Sequence, residues 1–270
     1  MLNIFETFKP ENSLIKPHVS YYYLDIKPGN TTTRFECFPH YNNSISLYNS
    51  HFRDPEKNVV FQPGGSHLQI FTPLRETILR VTQIGPVHRI VIVFNPLGIF
   101  QFFRDVDFTR YVLNFIFLEQ QELDQLFKEK NPEQLTFLLD QMLLQRFHKY
   151  ENSVLECALR QILSDHSGLT IENLSQTLSI SRRHLNRLFQ THFGVSVKRF
   201  CNIVAFRKAI TAKISENSHI SLTELAYEYG YADQAHLSKN IRAFTQKAPR
   251  LFFAQGKKLG DEDIFWHFHQ

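Results

Sequence analysis

The sequence predicts an α+β protein with an N-terminal β-rich, barrel-like domain that ends in helices, and an all-α C-terminal domain. Short runs of β-branched and aromatic residues, separated by Pro and Gly turn signals, fill about the first 95 residues. Helical periodicity replaces them after Pro96. A helix-turn-helix pattern then occurs twice. We therefore expect two helix-turn-helix units joined by a long helix in the C-terminal domain.

Length and composition are those of a two-domain globular protein. The chain has 270 residues, of which 43% are hydrophobic and 21% charged. No apolar run approaches the roughly 18 residues of a membrane helix, and no signal peptide is recognised at the N-terminus. Because Cys37, Cys157 and Cys201 lie far apart without C-x-x-C spacing, we expect no disulfide framework, no zinc site and a cytoplasmic location.

The N-terminal domain, residues 1–150, is predicted to contain at least five strands and two helices. The strands are 19–26, 43–48, 67–72, 77–84 and 87–94, and the helices are 111–129 and 132–149. A polar segment near Tyr150 favours a domain boundary there. The DNA-binding domain would then span 151–256. The tail, 257–270, contains an aromatic cluster around Trp266 and either folds back onto the protein or is disordered.

Positive charge is concentrated in the C-terminal half. Residues 170–253 contain 12 basic and 5 acidic side chains, while the whole chain has a net charge of only +4. Residues 181–208 contain seven basic side chains and no acidic one. A local cationic surface on a nearly neutral chain favours a polyanionic partner, although a solvated surface explains the charge alone equally well.

An internal repeat is the more informative observation. LTIENLSQTLSISRRHLNRLF and ISLTELAYEYGYADQAHLSKNI each contain a short helix, a tight turn and a second helix, the second helices lying near 181–192 and 232–245. A preceding helix, 153–165, is predicted to end at His166-Ser167-Gly168. Gly230 can supply positive φ in the second turn, whereas the first turn, 178–180, must form without glycine. A solvated surface does not account for a second copy, so the repeat favours DNA binding.

The first of these second helices is predicted to begin at the N-cap Ser181. At about 100° per residue, Leu185, Leu188, Phe189 and His192 share the side that faces the preceding helix. The opposite side can enter a major groove and reach base edges. It carries Arg183, Asn186, Arg187 and Gln190, with Arg182 at the flank, where a phosphate is the better partner.

The second copy repeats this arrangement, with Leu237, Ile241 and Phe244 as its buried stripe and Asp233 as its expected N-cap. Gln234 can pair with adenine, and Lys239 with guanine or phosphate. Ala235 can touch a thymine methyl. For His236, packing and DNA contact are equally open. The residues expected at the DNA are Gln234, Ala235, His236, Lys239 and Arg242.

The segment 196–215 is predicted to be the helix that joins the two units. About 18 helical residues span roughly 27 Å. Two helices held at that separation can enter successive major grooves, which lie about 34 Å apart on one face of DNA. A single chain could then read an asymmetric site without dimerising.

Residues 155–253 resemble the AraC family of transcription regulators. The resemblance is carried by SRRHLNRLFQTHFGVSVKRF and ISLTELAYEYGYADQAHLSKNIRAFTQKAPRLFF, and it departs from the family pattern at Ser175, Val197, Leu237 and Gln246. It implies double-stranded DNA as the partner and RNA polymerase as a further one. It also implies DNA contacts at Arg182, Arg183, Asn186, Arg187, Gln234, Ala235, His236 and Lys239.

The first 150 residues resemble, more weakly, the β-rich sensory or dimerisation domain that precedes this module in many such regulators. PHVSYYYLDI and HRIVIVFNPLGIFQFF carry this resemblance, which implies a small-molecule effector or a homodimer. An apolar ligand pocket inside the barrel would be lined by groups such as Phe61, Phe71 and Phe94. Ordinary core packing is the alternative for these rings.

The sequence contains no recognised enzymatic motif. It has no phosphate-binding loop, no G-x-G-x-x-G and no H-E-x-x-H, so we expect no catalytic residues, no metal and no cofactor. The leading function is therefore a sequence-specific transcription regulator. The alternatives are a β-barrel enzyme or ligand-binding protein with a helical accessory domain, and an architectural protein that binds DNA without sequence preference.

Overall fold

The computed structural model of the protein describes residues 2–113, 115–164, 169–215 and 219–269. Within these ranges the chain forms an N-terminal β-rich domain and a C-terminal helical domain, which confirms the predicted fold class. The strands are β1 Ile4–Phe8, β2 Val19–Lys27, β3 Thr32–Cys37, β4 Asn43–Tyr48, β5 His51–Arg53, β6 Val59–Phe61, β7 Leu68–Thr72, β8 Leu79–Ile84, β9 Val87–Phe94, β10 Gly256–Leu259 and β11 Ile264–His269. The helices are α1 Gln120–Leu126, α2 Pro132–Arg146, α3 Ser153–Ser164, α4 Ile171–Thr177, α5 Arg182–Phe193, α6 Val197–Ile214, α7 Leu222–Glu228, α8 Gln234–Thr245 and α9 Pro249–Gln255.

The strands form two sheets that pack face to face. One has the order β1-β2-β9-β4-β7 and the other β10-β11-β3-β8-β6-β5, and every pairing is antiparallel except β6 with β8. Successive side chains of a strand point to opposite faces of its sheet, so β2 contributes to two separate layers of the core. Tyr21 and Tyr23 face the second sheet, whereas Tyr22 and Leu24 face the core that includes α1 and α2.

The five predicted strands are all present, each within two residues of its predicted bounds. The prediction of one helix over 111–129 is wrong, because only α1, Gln120–Leu126, is helical among the described residues of that range. Val112 instead forms a β-bridge with Phe71, and the ring of Phe117 packs 6.2 Å from that of Phe71. The apolar spacing of this segment therefore comes from an irregular chain packed under β7. The predicted end of α3, at 166–168, lies outside the described residues.

The segment expected to be a tail, 257–270, folds back onto the N-terminal domain over its described residues. β10 and β11 form a hairpin, and β11 pairs with β3 from Trp266 opposite Cys37 to His269 opposite Arg34. The indole of Trp266 stacks on the ring of Phe35 at 4.4 Å. The second sheet of the N-terminal domain thus includes strands that follow the C-terminal helical domain in the chain.

Asp263, in the turn of this hairpin, joins three parts of the molecule. Its Oδ2 lies 2.7 Å from Nε2 of His40 and 3.2 Å from the guanidinium of Arg207 on α6. Burial opposes the charge of Asp263, but His40 and Arg207 hold its pKa well below the usual value. Nδ1 of His40 accepts a hydrogen bond from the backbone of Asn42, which leaves the proton on Nε2 to be donated to Asp263.

The free energy of unfolding should therefore decrease as the pH falls from about 6.5 to about 4. Burial lowers the pKa of His40 to about 4, so the folded protein keeps it neutral while the unfolded chain takes up a proton near 6.5. This residue alone accounts for a loss on the order of 3 kcal/mol across that interval. Urea unfolding of the native chain and of His40→Gln at a series of pH values measures it. The variant should show a shallower pH dependence, and two parallel curves would contradict this assignment.

Candidate nucleic-acid interface

The first helix-turn-helix unit consists of α4 and α5. The hydroxyl of Ser181 accepts a hydrogen bond of 3.1 Å from the backbone of His184, so the predicted N-cap is confirmed. Leu185 and Phe189 are fully buried, whereas Leu188 and His192 are only partly buried. The remaining, polar side of α5 consequently faces away from the domain core.

The second unit, α7 and α8, repeats this geometry. The Asp233 carboxylate accepts a hydrogen bond of 2.7 Å from the backbone of His236, which confirms it as the N-cap of α8. Counted from the two caps, Leu185 corresponds to Leu237 and Phe189 to Ile241, and all four side chains are buried. The internal repeat in the sequence is therefore a repeat of the structure.

The turns of the two units also match. Ser179 has a φ of 53° and Gly230 a φ of 76°, so both lie in the left-handed region. In each turn the next residue donates its N–H to the carbonyl five residues earlier, Ile180 to Ser175 and Tyr231 to Ala226. The first turn forms without glycine by placing a serine in a conformation that costs roughly 1 kcal/mol.

Four exposed cations on the second helices have no acidic partner. Arg183 and Arg187 on α5, and Lys239 and Arg242 on α8, form no ion pair within the ranges that the structure describes. Neither helix contains an acidic residue. Arg187 and Lys239 occupy equivalent positions, six residues after their caps. A polyanion can approach both helices without displacing a carboxylate from these four groups.

Two of the residues expected at the DNA are held by the preceding helix. Arg182 forms an ion pair of 2.8 Å with Glu172 on α4, and the Gln234 side-chain oxygen accepts a hydrogen bond of 2.9 Å from the Thr223 hydroxyl on α7. Arg182 and Gln234 are equivalent in the repeat, as are Glu172 and Thr223. The same position in each unit therefore ties the second helix to the first.

Three further candidates also have local partners. The side-chain oxygen of Asn186 accepts a hydrogen bond of 3.3 Å from the Val197 backbone, at the start of α6. The Gln190 amide, in the orientation that satisfies both of its ends, bonds to the carbonyl of residue 194 and the N–H of residue 196. Nδ1 of His236 accepts a hydrogen bond from Ala232, which leaves the ring proton on the exposed Nε2. Ala235 is exposed.

The helix α6 connects the two units and packs against each. Its 18 residues span roughly 27 Å, as the sequence predicts. The ring of Phe200 lies 5.2 Å from that of Phe189 on α5, and the ring of Phe206 lies 4.7 Å from that of Phe244 on α8. The two units are therefore joined through a shared aromatic core and not by a flexible linker.

The three aromatic residues expected to line a ligand pocket lie elsewhere. Phe71 and Phe94 are fully buried in the core between the first sheet and the helices α1 and α2, and Phe61 packs 5.5 Å from the ring of His51. A cavity of about 120 Å³ does exist between the two sheets, but none of these three residues lines it. Its polar lining was not anticipated from the sequence.

Metal-binding clusters and membrane-spanning helices are absent from the described ranges. No group of three His, Cys, Asp or Glu side chains there is arranged to hold a metal ion. Among the helices in those ranges, none combines the length and the apolar character that crossing a membrane requires.

Replacing Ser179 by glycine should stabilise the protein. Glycine adopts a φ near 53° without the steric cost that serine bears, so Ser179→Gly should raise the free energy of unfolding by about 0.5–1 kcal/mol. The matched control is Gly230→Ser, which should lower it by a similar amount because the same position of the other turn acquires a side chain. Urea denaturation measures both, and a destabilised Ser179→Gly would contradict the equivalence of the turns.

Comparison with known proteins locates the C-terminal domain within a family. Residues 174–255 match the model of a helix-turn-helix domain family. An uncharacterized HTH-type transcriptional regulator of Haemophilus influenzae is 33% identical over 101 residues, which are 37% of this chain and 32% of that protein. The HTH-type transcriptional activator RhaS of Salmonella arizonae is 31% identical over 90 residues, 33% of this chain and 32% of RhaS. The chain thus matches about a third of the length of these curated relatives.

A solved structure extends the similarity of fold beyond that domain. The structure of ToxT from Vibrio cholerae superimposes with a TM-score of 0.50 over 86% of this chain and 97% of ToxT, at 11% sequence identity. At that identity the likeness concerns the fold alone, a strand-rich domain followed by a helical one. The family match over residues 174–255 and the repeated geometry of α4–α5 and α7–α8 identify the C-terminal domain of this chain as a double helix-turn-helix domain, similar to those of the transcriptional regulators above.

Proposed function

We propose that the protein is a sequence-specific transcription regulator that reads two successive major grooves with α5 and α8. The observation that carries this proposal is the pair of equivalent helices, each burying an apolar stripe and exposing cations without acidic partners. Helices of this type present their N-terminal residues to base edges. The rigid connection through α6 supports simultaneous contact of both helices with one DNA face.

The contacts fall into two groups. Arg183 and Arg187, one turn apart on α5, suit guanine edges, and Lys239 occupies the position of Arg187 in the second unit. Arg182 suits a phosphate, since its pair with Glu172 is solvent-exposed and contributes at most about 1 kcal/mol, which a phosphate contact can replace. Arg242 lies on the same exposed side of α8 as Lys239 and suits a phosphate as well.

Each of the remaining candidate residues can make a limited contact with DNA. Nε2–H of His236 can donate to an acceptor, and the amide nitrogen of Gln234 can donate to adenine N7 while its oxygen stays bonded to Thr223. Ala235 can touch a thymine methyl. Gln190 acts mainly on the shape of the α5–α6 corner, because both ends of its amide are engaged there. The oxygen of Asn186 is engaged at the same corner, and its amide nitrogen can still donate to a base.

In this proposal the N-terminal domain controls DNA binding through a small effector or through a homodimer. In a homodimer, Ile116 and Phe137 on α2 are among the exposed apolar side chains that a second copy of the chain can cover, at 67% and 60% exposure. A regulator of this kind acts in the cytoplasm and contacts RNA polymerase when it activates. The proposed regulator carries out no catalytic step, because its candidate chemistry is nucleic-acid recognition.

Specific DNA binding should weaken steeply with salt. Each neutralised phosphate contributes about −0.9 to the slope of log K against log salt concentration, so several basic contacts predict a slope of several units. Fluorescence anisotropy can compare a duplex selected by the full chain from a random-sequence library with a scrambled duplex of equal length. Equal affinity for both duplexes would favour the architectural alternative, and turnover by the chain would favour the enzymatic one.

Two arginines of α5 should behave differently when replaced. Arg187→Ala should relax selectivity at one or two base pairs, with a loss of about 1–3 kcal/mol on the selected duplex and little on the scrambled one. Arg182→Ala should weaken both duplexes alike and reduce the salt slope by about one. Lys128→Ala, at an exposed cation of the N-terminal domain, is the matched control and should change neither. Identical behaviour of the two arginine variants would refute the assigned contacts.

A further inference from the structure

The DNA-facing side of α8 continues beyond Arg242 to the end of the helix. Ala235, Lys239, Arg242 and the C-cap Gln246 follow one another at steps of four, three and four residues, so they share one side of α8. From Ala235 to Gln246 this side is about 17 Å long, whereas a major groove is about 12 Å wide. When the first turn of α8 reads base edges, its last turn therefore reaches the sugar-phosphate backbone.

The N-terminal domain meets α8 at this last turn. Nη2 of Arg80, on β8, donates a hydrogen bond of 3.2 Å to the side-chain oxygen of Gln246. Nζ of the next residue, Lys247, lies 2.6 Å from a carboxylate oxygen of Glu36 on β3. The other carboxylate oxygen of Glu36 lies 3.1 Å from Nε of Arg80. The DNA-facing side of α8 is thus continuous with one face of the second sheet.

This part of the sheet carries a surplus of positive charge. Arg80 lies opposite Glu36 in the pairing of β3 with β8, and Arg34 lies two residues before Glu36. The two arginines therefore point from the same face, with their Cα atoms roughly 7–8 Å apart. Glu36 is 6% exposed, whereas the side chain of Arg80 is 64% exposed. Arg34 is exposed and forms no ion pair within the described parts of the chain. With Lys247, three cations thus surround one buried carboxylate.

The corresponding end of α5 meets a part of the N-terminal domain where the charges cancel. Gly194 is equivalent to Gln246, because each is a left-handed C-cap 13 residues after the N-cap of its helix. A Cβ on Gly194 would lie 3.1 Å from the Cβ of Thr109, so the N-terminal domain reaches this end as well. Next to Thr109, however, Nε of Arg110 pairs with Asp107 at 2.6 Å. The surplus charge therefore adjoins α8 and not α5.

We propose that Arg34 and Arg80 of the N-terminal domain contact DNA phosphates beyond the groove that α8 reads, so that this sheet face is a third DNA-binding surface. The inference rests on the proposed function, in which α5 and α8 engage one face of a duplex. Glu36 and Gln246 hold the guanidinium of Arg80 through Nε and Nη2, which orients Nη1 for a phosphate before DNA binds. The bound DNA then extends further on the α8 side than on the α5 side.

Three duplexes test the proposal by fluorescence anisotropy of the full chain at a series of salt concentrations. One is a core duplex that ends at the outer edges of the two recognised sites. The other two extend the core by about one helical turn, either beyond the α8 site or beyond the α5 site. Because Arg187 belongs to α5, the base pairs at which Arg187→Ala relaxes selectivity show which site is which.

The extension beyond the α8 site should raise affinity at least about tenfold at low salt. Two further phosphate contacts should make the slope of log K against log salt concentration more negative by about two, so the gain should increase roughly threefold at each halving of the salt concentration. The extension beyond the α5 site should change neither quantity, and it controls for the greater length of DNA. Equal gains from both extensions, or no gain from either, overturn the proposal.

Variants of Arg34 separate a DNA contact from a structural role. Arg34→Gln should remove about one unit of the added salt slope on the duplex extended at the α8 site, and Arg34→Glu should weaken that duplex further. Both should leave the core duplex and the melting temperature unchanged, because Arg34 has no ion pair to lose in the described parts of the chain. Lys128→Gln, at an exposed cation far from the sheet face in sequence, should change no duplex.

Two results of the same measurements would contradict the proposal. Arg34→Gln that binds all three duplexes as the native chain does overturns it, and so does Arg34→Gln that weakens the core and extended duplexes alike. A native chain that prefers the core duplex to a scrambled one but gains nothing from the α8-side extension defeats this inference alone. A native chain without that preference defeats the proposed function and the inference with it.

Discussion

The burial of one apolar stripe on each of two short helices determines what the C-terminal domain can present to a partner. Burying a leucine or phenylalanine side chain contributes about 1.5–3 kcal/mol, so Leu185 with Phe189, and Leu237 with Ile241, fix the rotation of α5 and α8 about their axes. Turning a helix the other way would expose these groups and bury unpaired cations, which costs far more. The outward position of Arg187 and Lys239 is therefore a consequence of packing.

The connection between the domains is the second constraint. The chain leaves the DNA-binding domain through α9 and returns to the N-terminal domain as β10 and β11, so the second sheet is completed by residues from the end of the sequence. Asp263 ties this hairpin to His40 and to Arg207 of α6. A change in the N-terminal domain can thus reach α6 through direct contacts, and α6 packs against both α5 and α8.

Sequence reasoning succeeded where the signal is local. The caps Ser181 and Asp233 and the 3.6-residue spacing of buried groups predicted α5 and α8 closely, and the β-branched residues of VHRIVIVF predicted β9. It failed at 111–113 and 115–119, where apolar spacing arises from tertiary packing of an irregular segment. The pairing of β11 with β3 joins residues more than 220 positions apart, which no local pattern encodes. For the cavity a signal was available: Arg89 stands in an apolar strand, and such a charge is buried only when it has a partner or a purpose.

The central claim is that both helices engage one face of the same DNA duplex. Hydroxyl-radical footprinting, combined with guanine-N7 methylation interference, tests it most directly on a duplex that the full chain selects. We expect two protected patches on one face about 10 base pairs apart, each with interfering guanines in the major groove. A single patch, or two patches on opposite faces, would contradict it.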